Sequence, residues 1–371
     1  MRELKGDDFK AVVYGASFYG GGGGGSMEEG MELVEEMLRV ENDPVLEMYD
    51  IEELPDDPNA VATMVAAMGS PIETKGMTFV DEAVSAISGM AEEVKAKGQE
   101  LKYIYSGEMG GGNTILPLYA ALKCGLPIVD TDGNGRAVPE MNTSLAPIHG
   151  VPTSPFMIAN GNGDVLAVRA KDPMDSVACE KIGRCTCSAF KGVGFSAWNM
   201  NKEDMRRASA AGQMTKCMEV GRVLLDSTTE NVIENLSATF EKFGDPFKVL
   251  VPSGEIVDIQ IESAGGFDTG STVIRDDATG ETYTVLCQNE SLLVRDGAGQ
   301  VIMTIPGIIS MVELRGDGTV RAVSNCETAV GQKVALTVTK AHERWYDRPE
   351  CYGSWKEVME SAGYTGEEVS L

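Results

Sequence analysis

Two acid- and glycine-rich loops, each placed directly after a short apolar run, constrain this chain more than any other feature of it. Residues 101–105 read as a strand and lead into Ser106-Gly-Glu-Met-Gly-Gly-Gly-Asn113. Residues 126–129 read as a second strand and lead into Asp130-Thr-Asp-Gly-Asn-Gly-Arg-Ala-Val-Pro-Glu140. Between them, residues 114–124 form a helical run closed by Gly125, the residue type that ends helices without a Cβ penalty. A strand–helix–strand order of this kind implies parallel pairing. In an open α/β sheet the loops after strand C-termini line the ligand crevice. Glu108, Asn113, Asp130, Asp132, Arg136 and Glu140 are therefore candidates for chemistry. The competing reading is structural, because turns need the same Asp, Asn and Gly residues.

The pattern around these loops extends the argument. Residues 45–49 and the small apolar run 60–67 read as strands, and 79–97 has apolar residues at helical spacing up to Gly98. Residues 155–159 and 165–168 flank Asn160-Gly-Asn-Gly163, a hairpin turn. Residues 172–243 are mostly helical, with 193–198 as a strand between helices and a capping box from Asn201 to Asp204. From 247 to 339 the helical period vanishes. Short alternating runs separated by turns such as Asp-Gly-Ala-Gly take its place. The expected architecture is an α/β domain over 1–165 with a mainly parallel sheet, a helical segment over 166–246, and a β-rich, sandwich or barrel-like domain over 247–371. The last of these ends in an aromatic tail that docks elsewhere.

Composition narrows the function classes. A net charge of −26 argues against nucleic acid and anionic membranes as partners, both of which reward a basic face. No apolar run reaches the length of a membrane span, and the first residues lack the apolar core of a secretory signal, so a cytoplasmic protein is expected. The eight Cys are scattered, which favours free thiols; Cys185-Thr-Cys187 is the only close pair, and small apolar Cys is commonly core. Only two His are present, His149 and His342, so a His-rich zinc site is ruled out, and no Gly-x-Ser-x-Gly elbow exists.

Three further places carry chemistry. Gly20 to Gly25 is a run of six Gly before Ser26, a natural N-cap for a helix over 27–40. The loop either wraps a substrate carboxylate or ring, with Gly22, Gly23 and Gly24 in contact, or is a flexible surface loop. It is neither a P-loop nor a convincing dinucleotide fingerprint, and no nucleotide cofactor is expected. Asp130 and Asp132, with Glu108 and His149, form one candidate oxygen-rich set for a divalent cation. Alternatively a carboxylate acts as a general base without metal, or the acids only cap and pair. If Asp132 activates water, Asp132→Asn would cost roughly 10²- to 10⁴-fold in rate. Gln288-Asn-Glu290 ends a strand with three polar side chains that could complete a pocket at a domain interface. Gly265-Gly-Phe-Asp-Thr-Gly270 reads as a loop near the same interface.

In this order, the Gly run, Met68-Gly-Ser-Pro71, the Glu108-to-Asn113 motif, the Pro127-to-Glu140 block and Gln288-Asn-Glu290 resemble the S-methyl thiohydantoin desulfurase family. The similarity spans essentially the whole chain, and the block ending at Glu140 is its specific part. The resemblance implies an α/β domain followed by a β-rich one. It implies relatives that act on hydantoins, thiohydantoins or their S-methyl forms, some of them joined to or encoded beside hydantoinase/oxoprolinase proteins. Glu108, Asn113, Asp130, Asp132, Arg136, Glu140 and Gln288 to Glu290 fall on the family's motif positions. The Cys185-Thr-Cys187 region departs from many relatives. The expected activity is hydrolysis of a five-membered cyclic ureide, with catalysis by Asp132, Asp130, Glu108 or Glu140. The rival is a non-catalytic, substrate-binding partner of a hydantoinase/oxoprolinase. A homo-oligomer is a further expectation.

Overall fold

The computed structural model describes residues 1–69, 76–264 and 267–371. Ser70 and Pro71 of one motif, and Gly265 and Gly266 of another, lie outside the described residues.

The first sheet has nine strands: β1 (Arg2–Lys5), β2 (Val45–Tyr49), β3 (Ala60–Gly69), β4 (Glu100–Ser106), β5 (Ile128–Asp132), β6 (Phe156–Ala159), β7 (Val165–Val168), β8 (Gly192–Met200) and β9 (Ala210–Ala211). Their order is β1-β2-β5-β4-β3-β8-β6-β7, with β9 on β5. Only β2-β5-β4-β3 pair in parallel. β1, β8, β6 and β7 add antiparallel strands on both sides, and β9 pairs antiparallel with β5. The sheet is therefore mixed, not mainly parallel. The physical reason is β8. It arrives from a part of the chain dominated by helices, is buried along nearly its whole length, and pairs antiparallel with β3. The 166–246 span thus contributes a central strand as well as helices.

Helices α1 (Asp7–Tyr19), α2 (Met27–Glu41), α3 (Val80–Ala96), α4 (Gly111–Cys124) and α8 (Gln213–Asp226) share one core. The other face is closed by a second core, which includes Cys179 and Cys187 from α6 (Ser176–Phe190) and Met205 and Ala208 from α7 (Lys202–Ala208). The short α5 (Leu145–Ile148) follows the acid-rich loop that ends at Glu140, and α9 (Val232–Phe243) leads to the second domain. Ser26 caps α2 with a full capping box, and Asn201 does the same for α7.

The second sheet is wholly antiparallel: β10 (Phe247–Ala264), β11 (Phe267–Asp276), β12 (Thr282–Gln288), β13 (Glu290–Asp296), β14 (Val301–Thr304), β15 (Ile308–Leu314), β16 (Val320–Val323) and β17 (Lys333–Thr339), in the order β14-β13-β12-β11-β10-β17-β15-β16. It curls so that β13 approaches β15 around a core of Val251, Ile274, Val294, Met311 and Leu336. The first of the short runs expected from 247 onward merge into one long strand with bulges, β10. The tail, including α10 (Pro349–Gly353) and α11 (Lys356–Ser361), docks through Trp345 and Trp355, both fully buried and stacked edge to face at 5.8 Å. Trp345 Nε1 donates to the Asn134 carbonyl at 2.7 Å, so the tail braces the acid-rich loop.

Candidate active-site cleft

A cleft of about 1020 Å³, measured out to its open mouth, lies where the two sheets meet. Its floor is the C-terminal end of β3 and the loops after β4 and β5; its roof is the β12–β13 turn and residues 324–326. It lies at a domain junction, a common position for a small-molecule site.

The Gly run forms one wall and explains its own composition. A Cβ on Gly22 would collide with the Asn325 side chain, and one on Gly23 with the Glu290 carboxyl. Backbone groups stitch the loop into place. Gly24 O accepts from Asn113 N at 3.0 Å, Gly21 O from Ser291 N at 2.8 Å, and Gly22 O from Asn325 N at 2.8 Å. The run is a seam between domains, not a flexible surface loop.

Glu108 follows β4 and lines the cleft. Its Oε1 accepts from Asn113 Nδ2 at 2.6 Å and its Oε2 from Val138 N at 2.8 Å. Burial raises its pKa against the pull of those donors. Glu290, at the start of β13, is 2 % exposed, and its Oε2 has no hydrogen-bond partner among the described residues. Burial first, then the nearby Glu108 charge, pushes it up to about 8. Two carboxyls that share a site cannot both ionise readily, so the pair carries a proton near neutral pH. Asn289 is the tight turn before Glu290, with φ 57°, a left-handed geometry that Asn tolerates. Its Oδ1 accepts from Asp268 N at 2.8 Å. Glu140 is half-buried on the rim, its pKa raised chiefly by burial and then by Glu180.

The other candidates lie elsewhere. Asp130 caps α8, accepting from the backbone N of Thr215 at 2.9 Å and from its hydroxyl. Asp132 is fully buried; its Oδ1 accepts from Asn134 N at 2.9 Å and Gly135 N at 2.5 Å, which shapes the turn that sets Asn134 into the cleft wall. Burial pushes its carboxyl up to about 7. Arg136 does not line the cleft either. It is fully buried, with Nη1 donating to Pro306 O at 2.7 Å and Gly307 O at 2.8 Å, Nε donating to Ala137 O at 2.9 Å, and its guanidinium 5.0 Å from the Trp355 ring centre. It bolts the domains together. Gln288 is buried behind the wall, where its side chain accepts from Ser361 Oγ at 3.3 Å.

His149 packs by the tail, with Nε2 3.3 Å from Arg344 O, and burial lowers its pKa. Glu108, Asp130, Asp132 and His149 are thus dispersed. Among the described residues no three His, Cys, Asp or Glu side chains come together as a metal site, so the proposed ligand set does not fit a divalent cation. No described helix is long and apolar enough to cross a membrane.

Reading the sequence missed several wall residues, Glu180, Arg184, Ser324, Asn325 and Cys326, whereas Asp268 falls in the segment expected near the interface. Arg184 bonds Glu180 at 2.6 Å and Pro139 O at 3.1 Å and covers the Phe267 ring at 4.8 Å. Its cue was the i,i+4 Glu–Arg pair on α6. Ser324 to Cys326 carried no spacing cue, because the second domain brings them in.

Fold and cleft together define a two-domain protein, mixed α/β then antiparallel β, with an acid-lined cleft at the junction. The chain belongs to the S-methyl thiohydantoin desulfurase family: residues 7–170 match the S-Me-THD-like N-terminal domain and residues 174–352 the S-Me-THD-like C-terminal domain. It is also similar to the crystal structure of a protein from Chromobacterium violaceum, at 25 % identity and a TM-score of 0.84 over 100 % of both chains. No curated protein matches it.

Proposed function

We propose that the chain is a hydrolase that exchanges the sulfur substituent at C2 of a thiohydantoin-type ring for oxygen, an S-methyl thiohydantoin being the foremost substrate. The observation that carries this reading is the Glu108–Glu290 pair in the cleft, one member held by two donors and the other buried with an open oxygen. The family supplies the ring class. The net change is ring C2–SCH3 plus water giving ring C2=O plus methanethiol. Glu290, protonated near neutral pH, gives its proton to a ring nitrogen and makes C2 more electrophilic. Glu108, ionised and oriented by Asn113 and Val138, accepts a proton from the attacking group. Asn113 and Asn289 present amides along the wall for ring N–H and C=O groups.

The test is turnover by the isolated chain on hydantoin, thiohydantoin and S-methyl thiohydantoin panels. Glu108→Gln and Glu290→Gln should each lower kcat roughly 10²- to 10⁴-fold, the usual worth of a positioned acid or base. In the parent protein the rate should decline as pH rises through about 8, where Glu290 loses its proton. An isolated chain that binds these rings but turns over none of them would be a binding partner, and the proposal would fail.

A further inference from the structure

We infer that Cys326 is the nucleophile that first attacks C2, so that the sulfur leaves by exchange for the Cys326 thiol before water completes the reaction. The inference rests on the reading just proposed and deepens it. Cys326 is exposed and lines the cleft. Its Sγ lies 3.0 Å from Ser324 Oγ, which donates to Gly22 O at 3.3 Å. That donation leaves Ser324 Oγ to accept a hydrogen bond from the thiol. The sulfur is thereby tied to the glycine seam whose next residue, Gly23, abuts the Glu290 carboxyl. Independent of the thiol, the buried, unpartnered Glu290 Oε2 in the same cleft marks a place for a ligand hydrogen-bonding group.

The chemistry suits sulfur. The C2 carbon of an S-alkyl thiohydantoin is a soft electrophile, and replacing one sulfur by another changes bond energies little. Covalent catalysis splits one difficult step into two easier ones. In the first half Glu290 protonates a ring nitrogen, Sγ bonds to C2, and the S–H proton passes to a cleft carboxylate. The C2–SCH3 bond then breaks, and methanethiol leaves with that proton. In the second half water adds to C2 and gives a proton to the same carboxylate. The Cys326 Sγ–C2 bond breaks, Sγ takes back the proton from that carboxylate, the remaining water proton on the C2 oxygen returns to Glu290, and the ring leaves with N–H and C2=O. No oxidant or reductant is consumed. Although the residue is reachable from solvent, the surrounding cleft walls desolvate its thiol and raise its pKa, which keeps it protonated until a substrate and a base are in place.

Four measurements test this on the full-length protein. Acid-quenched turnover mixtures should show the Cys326 peptide heavier by the mass of the S-methyl thiohydantoin less methanethiol. Trideuterated methanethiol should exchange into unreacted substrate. Cys326→Ala should lower kcat more than about 10³-fold, in keeping with loss of a nucleophile, while its melting temperature and hydantoin affinity stay unchanged. Hydantoin should also slow alkylation of Cys326 and not that of Cys185, the other exposed thiol. Near-normal turnover by Cys326→Ala, with no adduct and no exchange, would overturn the inference and leave the carboxylate mechanism standing. No turnover by the parent protein on any ring type, with no adduct, would overturn both.

Discussion

At the scale of single residues, the acids of the family motif divide by what their oxygens do. Asp130 and one oxygen of Asp132 hold the helix end and turn beneath the cleft, Asp132 Oδ2 being buried without a partner among the described residues, whereas Glu108 and Glu290 line the cleft. The first pair is architecture. Asp132→Asn keeps the Oδ1 that organises Asn134 and Gly135, and Asn serves the same turns. The substitution should therefore leave kcat within about threefold, well short of the 10²- to 10⁴-fold loss expected of a general base. Its signature should be in stability. A carboxyl pushed up to about 7 in the fold stabilises it most when protonated, below the ordinary Asp range, and that contribution is lost as pH rises through about 7. Thermal melts at pH 5 and pH 8 should show a smaller drop for Asp132→Asn than for the parent. A large kcat loss with an unaltered melting profile would return Asp132 to the mechanism.

At the scale of elements, Gly23→Ala tests whether the glycine run exists to admit Glu290. Its Cβ would overlap that carboxyl, so the wall must shift. Overpacking of this kind costs roughly 1–3 kcal/mol. Turnover should fall further than stability, because the displaced group is the proposed acid. A melt paired with steady-state kinetics decides it, and full activity would mean Glu290 has no positional demand. Elements also show what could be read in advance. The strands 45–49, 60–67 and 101–105, the helices before Gly98 and Gly125, and the onset of β structure at 247 were legible, because period and caps are local signals. Helix α1 was not. Nine of its residues are buried, on several sides, so it lacks the one-sided stripe that marks a surface helix. β1 exposes all but Leu4, and β16 has only four residues. The antiparallel entry of β8 depends on long-range pairing that no window of sequence contains. The cleft followed the same rule. Glu108 was readable because it ends a strand, and Glu290 because it stands in an unusual polar triplet. Cys326 became visible only once the glycine seam placed it.

For the whole molecule, the decisive contact is Arg136, a buried cation from the first domain that holds the Pro306 and Gly307 carbonyls of the second. Burial lowers its pKa to about 10, which still leaves it charged at neutral pH. Its charge also reaches the cleft, where it favours the ionised form of Glu290 and so opposes the upward push of burial. Arg136→Met keeps an apolar body against Trp355 and removes the charge and the donors. Several buried carbonyls then lose their partner, a loss of roughly 3 kcal/mol or more at about 1–3 kcal/mol per unsatisfied group. A lower melting temperature alone would fit any buried Arg, so the telling readout is the pH profile of the variant that remains folded. Without the Arg136 charge, Glu290 should hold its proton more tightly, and the alkaline decline in kcat should move to higher pH than in the parent. A decline that stays put would separate Arg136 from Glu290. A decline that moves down would mean the limb reports a group that Arg136 does not stabilise in its charged form, and Glu290 would lose its place as the acid.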